Sequence, residues 1–452
     1  MEPTGHSGSP PPCPYSADVT PLYRLAAEQD LAAVYAGLRR HSGPVVAVEI
    51  APGIVGWLVL SHREVLEAIW RADLYSSDPR GWNAVRDGVL PRDTPVLPLL
   101  RPRPAVVRLD GEEHLRHRRA LTEALARLDP RKLGRLVRNR ANALMDAWPA
   151  EGTADLVAHF ARPLVWHVFA HLLGVSEESV TALDAMSRTV VNALPGAVPA
   201  ETELLRSLRR VVDERSAAPG PDLTSWLAQD ATLSGNEVAH DLLTLTLTGG
   251  EGTIGWIGGT LRLLLAYDGP ALATSTAALV PSLMERALHT SAPVPTIAGR
   301  WATADIVLAG RHIRHGDLVI PCLTAANTDP ALGTGTAVRT RAHLAWGTGA
   351  HGCPAKETAR LITATALEVL LERLTDLSST LTDSAVRHSS LWSGCPAELP
   401  AFFTARDLSA VGHGTGALPV TVVEAPAERR DDRALHEAPP QRWGWWNSFG
   451  GW

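Results

Sequence analysis

The chain has 452 residues, 45% of them hydrophobic and 20% charged, with a formal net charge of −6. This is the composition of a globular protein long enough to bury a large core, and it excludes a basic nucleic-acid-binding surface. Four scattered cysteines (Cys13, Cys322, Cys353 and Cys395) exclude a zinc-knuckle spacing and argue against a disulfide framework. The only lysines are Lys132 and Lys356, so positive charge is almost all guanidinium, which suits carboxylate recognition and equally follows from a GC-rich gene. The proline- and serine-rich start, MEPTGHSGSPPPCPYS, lacks the apolar stretch of a secretory signal, so a cytoplasmic protein is expected. Residues 1–18 are expected to be disordered, because they hold too little apolar surface to offset ordering entropy.

In chain order, Gly43–Leu60 holds two β-rich runs around a Pro-Gly turn and predicts a hairpin. SHREVLEAIW follows as a helix with Ser61 as its cap. From Asp110 to about Tyr267 the apolar spacing of three and four predicts almost unbroken helix. Its most apolar part, Leu242–Tyr267, is interrupted by Glu251 and Arg262 and rich in glycine, which predicts a buried helix and no membrane span. Short strands are predicted at Asp305–Val307 and Asp317–Ile320, then a last long helix over about Pro354–Leu377 and stranded sequence up to Phe403. Residues 406–452 lose periodicity and form a linker ending in RWGWWNSFGGW. Four of the 14 tryptophans lie in those last ten residues, and the tail reads either as a docking peptide for a partner or membrane or as a segment folding back on its own domain.

The chemistry concentrates in LAWGTGAHGCPAKETARLI, residues 344–362. Cys353 precedes Pro354, a favoured first helical residue, and therefore sits at a helix N-terminus whose dipole and free amides favour a thiolate. Glycines at 347, 349 and 352 let backbone N–H groups approach the sulfur. This segment resembles the haem-binding loop of the cytochrome P-450 superfamily, FxxGxHxCxG, with Trp346 at the phenylalanine place, Gly347 beside it, and Gly349, His351 and Cys353 matching. Ala355 stands where the last glycine is usual. DGEEHLRHRR (110–119) is similar to the family segment DPPEHTRLRR, and the i,i+4 pair His114 and Arg118 shares one helical face. Pro293-Val294 followed by Arg300, and AANTDP (325–330), match further family segments in the right order.

The resemblance covers about Tyr23–Phe403 and implies a mainly α fold with small β-sheets (α+β), with haem between a long central helix and the cysteine-loop helix. A haem-thiolate domain over 19–405 follows. It implies haem b (iron protoporphyrin IX) with Cys353 as iron ligand, His114, Arg118, Arg300 and His351 at the propionates, and Trp346 and Gly347 in the haem-binding loop. Two departures stand out. The ExxR register holds Arg286 and His289, with Glu285 one residue early and turned by about 100°. The AGxxT stretch of the central helix reads Thr248-Gly-Gly-Glu251-Gly252-Thr253, so the acid is present while Gly252 replaces the alcohol and Thr253 is displaced by one. Glu251 and Thr253 are the expected catalytic pair. These departures resemble the ExxR-lacking P-450-like proteins of the actinobacterial operons called conservons. The resemblance implies a monooxygenase fed by a ferredoxin-type electron donor and acting on a small hydrophobic substrate. The alternative it leaves is a haem-binding sensor or interaction protein without turnover, with the Trp-rich tail as docking element.

Overall fold

Strands Val45–Ala51 and Ile54–Val59 form the expected antiparallel hairpin, turning at Gly53 with φ +75°. They belong to a six-stranded sheet whose order across is Thr20–Pro21, Val45–Ala51, Ile54–Val59, Leu318–Pro321, Arg300–Ala302 and Tyr75–Ser76. The computed structural model describes residues 19–405 apart from 29, 89, 149–150, 267–275, 334–341 and 380–389. The proline-rich start (1–18) and the linker and Trp-rich tail (406–452) lie outside the described residues.

Ser61 occupies the N-cap position of helix His62–Trp70 with extended backbone, but its hydroxyl makes no capping bond. The His62 N–H donates instead to Asp329 Oδ2 at 2.9 Å, so a distant carboxylate satisfies that helix end. The stretch after Asp110 is mostly helical: Gly111–Ala126, Pro130–Met145, Arg162–Leu173, Val180–Val191, Ala197–Ala217, Gly235–Thr244 and Glu251–Leu265 are its main helices. One expectation fails there. Glu151–Asp155 is a strand, paired antiparallel with Pro400–Ala405, because a polar five-residue run carries no helical signal and its partner lies some 250 residues away. Among the described residues, no helix is long and apolar enough to cross a membrane.

The core is built around the helix Glu251–Leu265, whose residues are nearly all buried, including Trp256 at 1% exposure. The preceding turn, Leu245–Gly250, is π-helical. Such a bulge widens a helix locally and lets a side chain or ligand approach its backbone. Gly250 leaves room there: a Cβ would sit 3.0 Å from the Trp166 ring, a tight contact that the ring would have to relieve.

A buried ion pair ties helix Gly111–Ala126 to helix Gly235–Thr244. His117 Nδ1 lies 2.5 Å from Asp241 Oδ2, both side chains fully buried, and Asp241 Oδ1 also accepts the Val106 N–H at 2.7 Å. Burial pulls the His117 pKa down, but Asp241 and Glu237 together leave it above the ordinary histidine value. A raised folded-state pKa contributes stability that is fully present below the unfolded value of about 6.5 and is lost as pH rises through the folded one. His117→Leu should therefore cost about 1–3 kcal/mol at pH 5.5, from the carboxylate left underpaired. The gap between wild type and variant should narrow as urea titrations move to alkaline pH, and a gap that widens would refute the assignment.

Candidate active site

The cysteine loop is held by its own backbone. The Gly347 N–H donates to Leu344 O and the Cys353 N–H to Trp346 O, both at 2.8 Å, while the Leu344 N–H donates to Asn327 Oδ1 at 2.7 Å. Gly347 and Gly349 have φ of +63° and +67°, the left-handed region that a side chain strains. Trp346 packs edge-to-face on Trp256 of the central helix at 5.0 Å, which fixes the loop against that helix. The helix after the cysteine begins at Lys356 rather than at Pro354, so Pro354 and Ala355 form a turn and the thiol faces that turn. Burial raises the Cys353 thiol, opposed by the Ala355 amide and then by Arg118 and Lys356. Without a cation at the sulfur the thiol form is favoured, and metal binding would release the proton.

Cys353 lines a cavity of about 350 Å³ together with Trp346, Gly347, His351, Glu251, Gly252 and Thr253. His114, Arg118 and Arg300 line the same cavity, so every site residue expected from the sequence converges on one space. Sequence reasoning missed a further cation, Arg108, whose Nη2 donates to Ala298 O at 2.8 Å and to Leu99 O, and whose guanidinium lies 5.3 Å from the Trp301 ring centroid. A lone arginine in a loop carries no sequence signal of burial.

The charge balance decides what fits. Arg300 and Arg108 are 4% and 7% exposed, and among the described residues neither has an acid within ion-pair distance. Burial pulls Arg300 down to about 10 and Arg108 down to about 9, the latter helped by repulsion from Arg103 and Arg300. His114 is pulled down to about 4, by burial first and by His351 next, and its Nε2 is buried without a partner. Uncompensated buried guanidiniums are costly unless a ligand supplies the anion. The two propionates of a haem whose iron Cys353 would hold would meet this demand, so the residues fit haem. His351 itself is engaged by Ser77 Oγ at 3.0 Å and Asp110 at 3.5 Å, and Arg118 donates to the carbonyls of Gly352 and Ala350. Arg300→Leu should lower haem affinity about 10–100-fold, read by haem transfer to an apo-globin acceptor, without shifting the thiolate spectrum of the loaded fraction.

On the central helix, Glu251 is 2% exposed and forms a bidentate pair with Arg162 at 2.7 and 3.2 Å, and Arg162 also meets Asp184 at 2.6 Å. Burial pushes the Glu251 carboxyl up against the pull of Arg162. Thr253 Oγ1 donates to Gly249 O at 2.7 Å, so its proton is spent on the helix while its lone pairs still border the cavity. At Gly252 a Cβ would meet only Val294 at 3.7 Å, an ordinary contact. The missing alcohol is therefore not enforced by crowding.

The altered ExxR region is rebuilt in a shifted register. Glu285, one residue early and turned by about 100° in that register, nonetheless turns inward, pairs with Arg360 at 2.6 Å and lies 3.5 Å from His343, while Arg286 is exposed. His289 packs edge-to-face on His343 at 5.0 Å, and Arg360 stacks over Trp256 at 5.5 Å. The rotation by one residue is compensated because the partners come from the cysteine-loop helix and from the loop before it.

No family model matches the chain. Relatives do. The chain is 31% identical to cytochrome P450-SU2 of Streptomyces griseolus over 345 residues, covering 74% of this chain and 84% of the relative. It is 31% identical to mycinamicin IV hydroxylase/epoxidase of Micromonospora griseorubida (80% and 94% covered) and 30% to nocardicin C N-oxygenase of Nocardia uniformis (82% and 95%). Among solved structures, CYP154C4 from Streptomyces sp. W2061 superposes with a TM-score of 0.75 at 27% identity, covering 83% of this chain and 96% of that one. The named activities are oxygenations, which favours turnover over a haem-binding sensor. With a thiol, unpaired guanidiniums and an acid-bearing helix around one cavity, the chain belongs to the cytochrome P450 superfamily, among its bacterial haem-thiolate monooxygenases.

Proposed function

We propose that the chain binds haem b, takes two electrons from a ferredoxin-type donor in the cytoplasm, and inserts one oxygen atom into a small hydrophobic substrate. The reaction balances as substrate, dioxygen, two electrons and two protons giving oxygenated substrate and water. When bound, the haem supplies oxygen activation through an electron-rich thiolate ligand. The chain's own contribution follows from its geometry. Cys353 offers the sulfur, while Arg108, Arg118, Arg300 and His114 orient the ring through its carboxylates. Leu121, Phe169, Leu172, Val191 and Leu247 form an apolar chamber wall that excludes water and suits an apolar substrate. Glu251, ion-paired to Arg162 beside the π-helical turn, is the acid at the cavity that would take up a proton and pass it on, and Arg162 positions it.

The observation that carries this reading is Cys353 sharing a cavity with buried guanidiniums, Arg108 and Arg300, that have no acid within ion-pair distance among the described residues. The test is the absorbance of the reduced, haem-loaded protein under carbon monoxide. A red-shifted Soret band is expected, and its absence would overturn the reading. Turnover with a bacterial ferredoxin and its reductase, read as substrate-dependent oxygen uptake, separates an enzyme from a binding protein.

A further inference from the structure

Arg103 lies in the loop between helix Leu97–Leu100 and the turn Val106–Arg108, and it lines the same cavity. Its Nη2 is 3.1 Å from Glu201 Oε1, on helix Ala197–Ala217. Arg101 pairs with the same carboxylate. One fully buried acid thus serves two cations, and of these Arg103 is the buried one, at 7% side-chain exposure against 30% for Arg101. A guanidinium has five donors. Among the described residues that of Arg103 makes no hydrogen bond, and Glu201 is the only acid within ion-pair distance of it.

Among the described residues, nothing else in the cavity neutralises this charge. Glu251, the only acid lining the cavity among the described residues, is claimed by Arg162. His240, close enough to feel Arg103, is pulled down to about 4 by burial and then by Arg103, so it is neutral at physiological pH. The haem propionates fall to Arg108, Arg118 and Arg300. A buried cation with donors unused at the wall of an apolar chamber is an anion site.

We propose that the substrate is an apolar molecule bearing a carboxylate, and that Arg103 recognises this group as a specificity-determining residue. This rests on the reading of the cavity as a monooxygenase substrate chamber. Glu201 acts as the resident counterion, holding Arg103 until the substrate carboxylate shares it. The oxidised carbon then belongs to the apolar body, anchored at its acidic end.

The test uses the haem-loaded full chain with dodecanoic acid and methyl dodecanoate, which differ in charge and little in apolar area. Affinity is read by calorimetry and, separately, by the change in the haem absorbance. Wild type should prefer the acid by about tenfold or more, the gain expected of a charged hydrogen bond. Arg103→Gln should abolish that preference and leave ester affinity unchanged, whereas Arg103→Lys should keep part of it. Glu201→Gln, by removing the competing acid, should tighten the acid and not the ester. Equal binding of acid and ester by wild type, or equal weakening of both by Arg103→Gln, would overturn the proposal. An acid preference in a protein without the red-shifted carbon-monoxide band would sink the monooxygenase reading while leaving the anion site standing.

Discussion

Replacing Cys353 with serine should abolish the red-shifted carbon-monoxide band and reduce oxygenation by more than the roughly 10–100-fold typical of losing an outer-shell partner of a metal site. The hydroxyl does not ionise at neutral pH and gives iron no soft, electron-donating ligand. The fold should survive, because the loop is held by the Cys353 N–H to Trp346 O and by Asn327, neither of which involves the sulfur. Far-ultraviolet circular dichroism checks that point, and optical spectra of the reduced complex check the ligand. A retained band would move the ligand elsewhere, but the alternatives are poor. Cys322 and Cys395 do not line the cavity, and burial pushes both thiols up to about 12.

Arg162→Leu is the second change with a large expected effect, a loss of about 3–5 kcal/mol of stability. Arg162 is 11% exposed and bridges Glu251 and Asp184, so its removal strands two carboxylates, one of them buried at the start of the central helix. Asp184 keeps the Trp166 Nε1 donor at 2.7 Å, whereas Glu251 has no second hydrogen-bond donor among the described residues. Adding Glu251→Leu to Arg162→Leu should recover much of the loss, because the fully buried charge is then gone and the remaining Asp184 keeps its Trp166 donor. Urea unfolding of the two variants gives the comparison, and a double variant no more stable than the single one would contradict the pairing. Glu251→Gln keeps the shape and removes the ionisable group. It should slow turnover by about a hundredfold or more without altering the carbon-monoxide band.

The pattern of motif and departure shows how far a sequence speaks here. Cys353, His351 and the loop glycines at 347, 349 and 352 were legible because a ligand loop is local: sulfur, turn and helix lie within a dozen residues. His114 and Arg118 were legible for the same reason, as neighbours one turn apart on a helix. The rebuilt ExxR network was not. Glu285 lies 75 residues from Arg360 in the chain, and a register shift of one reads as loss when the partner is unknown. Arg162 gave no warning either, since its role depends on the helix that carries Glu251 crossing above it.

The same division holds for the protein as a whole. The hairpin at 43–60, the buried glycine-rich helix and the cysteine loop were determined by the sequence itself, through turn chemistry, apolar periodicity and a ligand motif with short-range geometry. The tertiary structure alone decided the strand at Glu151–Asp155, the inward turn of Glu285, the pairing of Glu251 with Arg162, and the presence of Arg103 and Arg108 at the cavity wall. Each of those depends on a partner brought close by folding, and the charge on a side chain does not reveal whether it will be buried or what will face it.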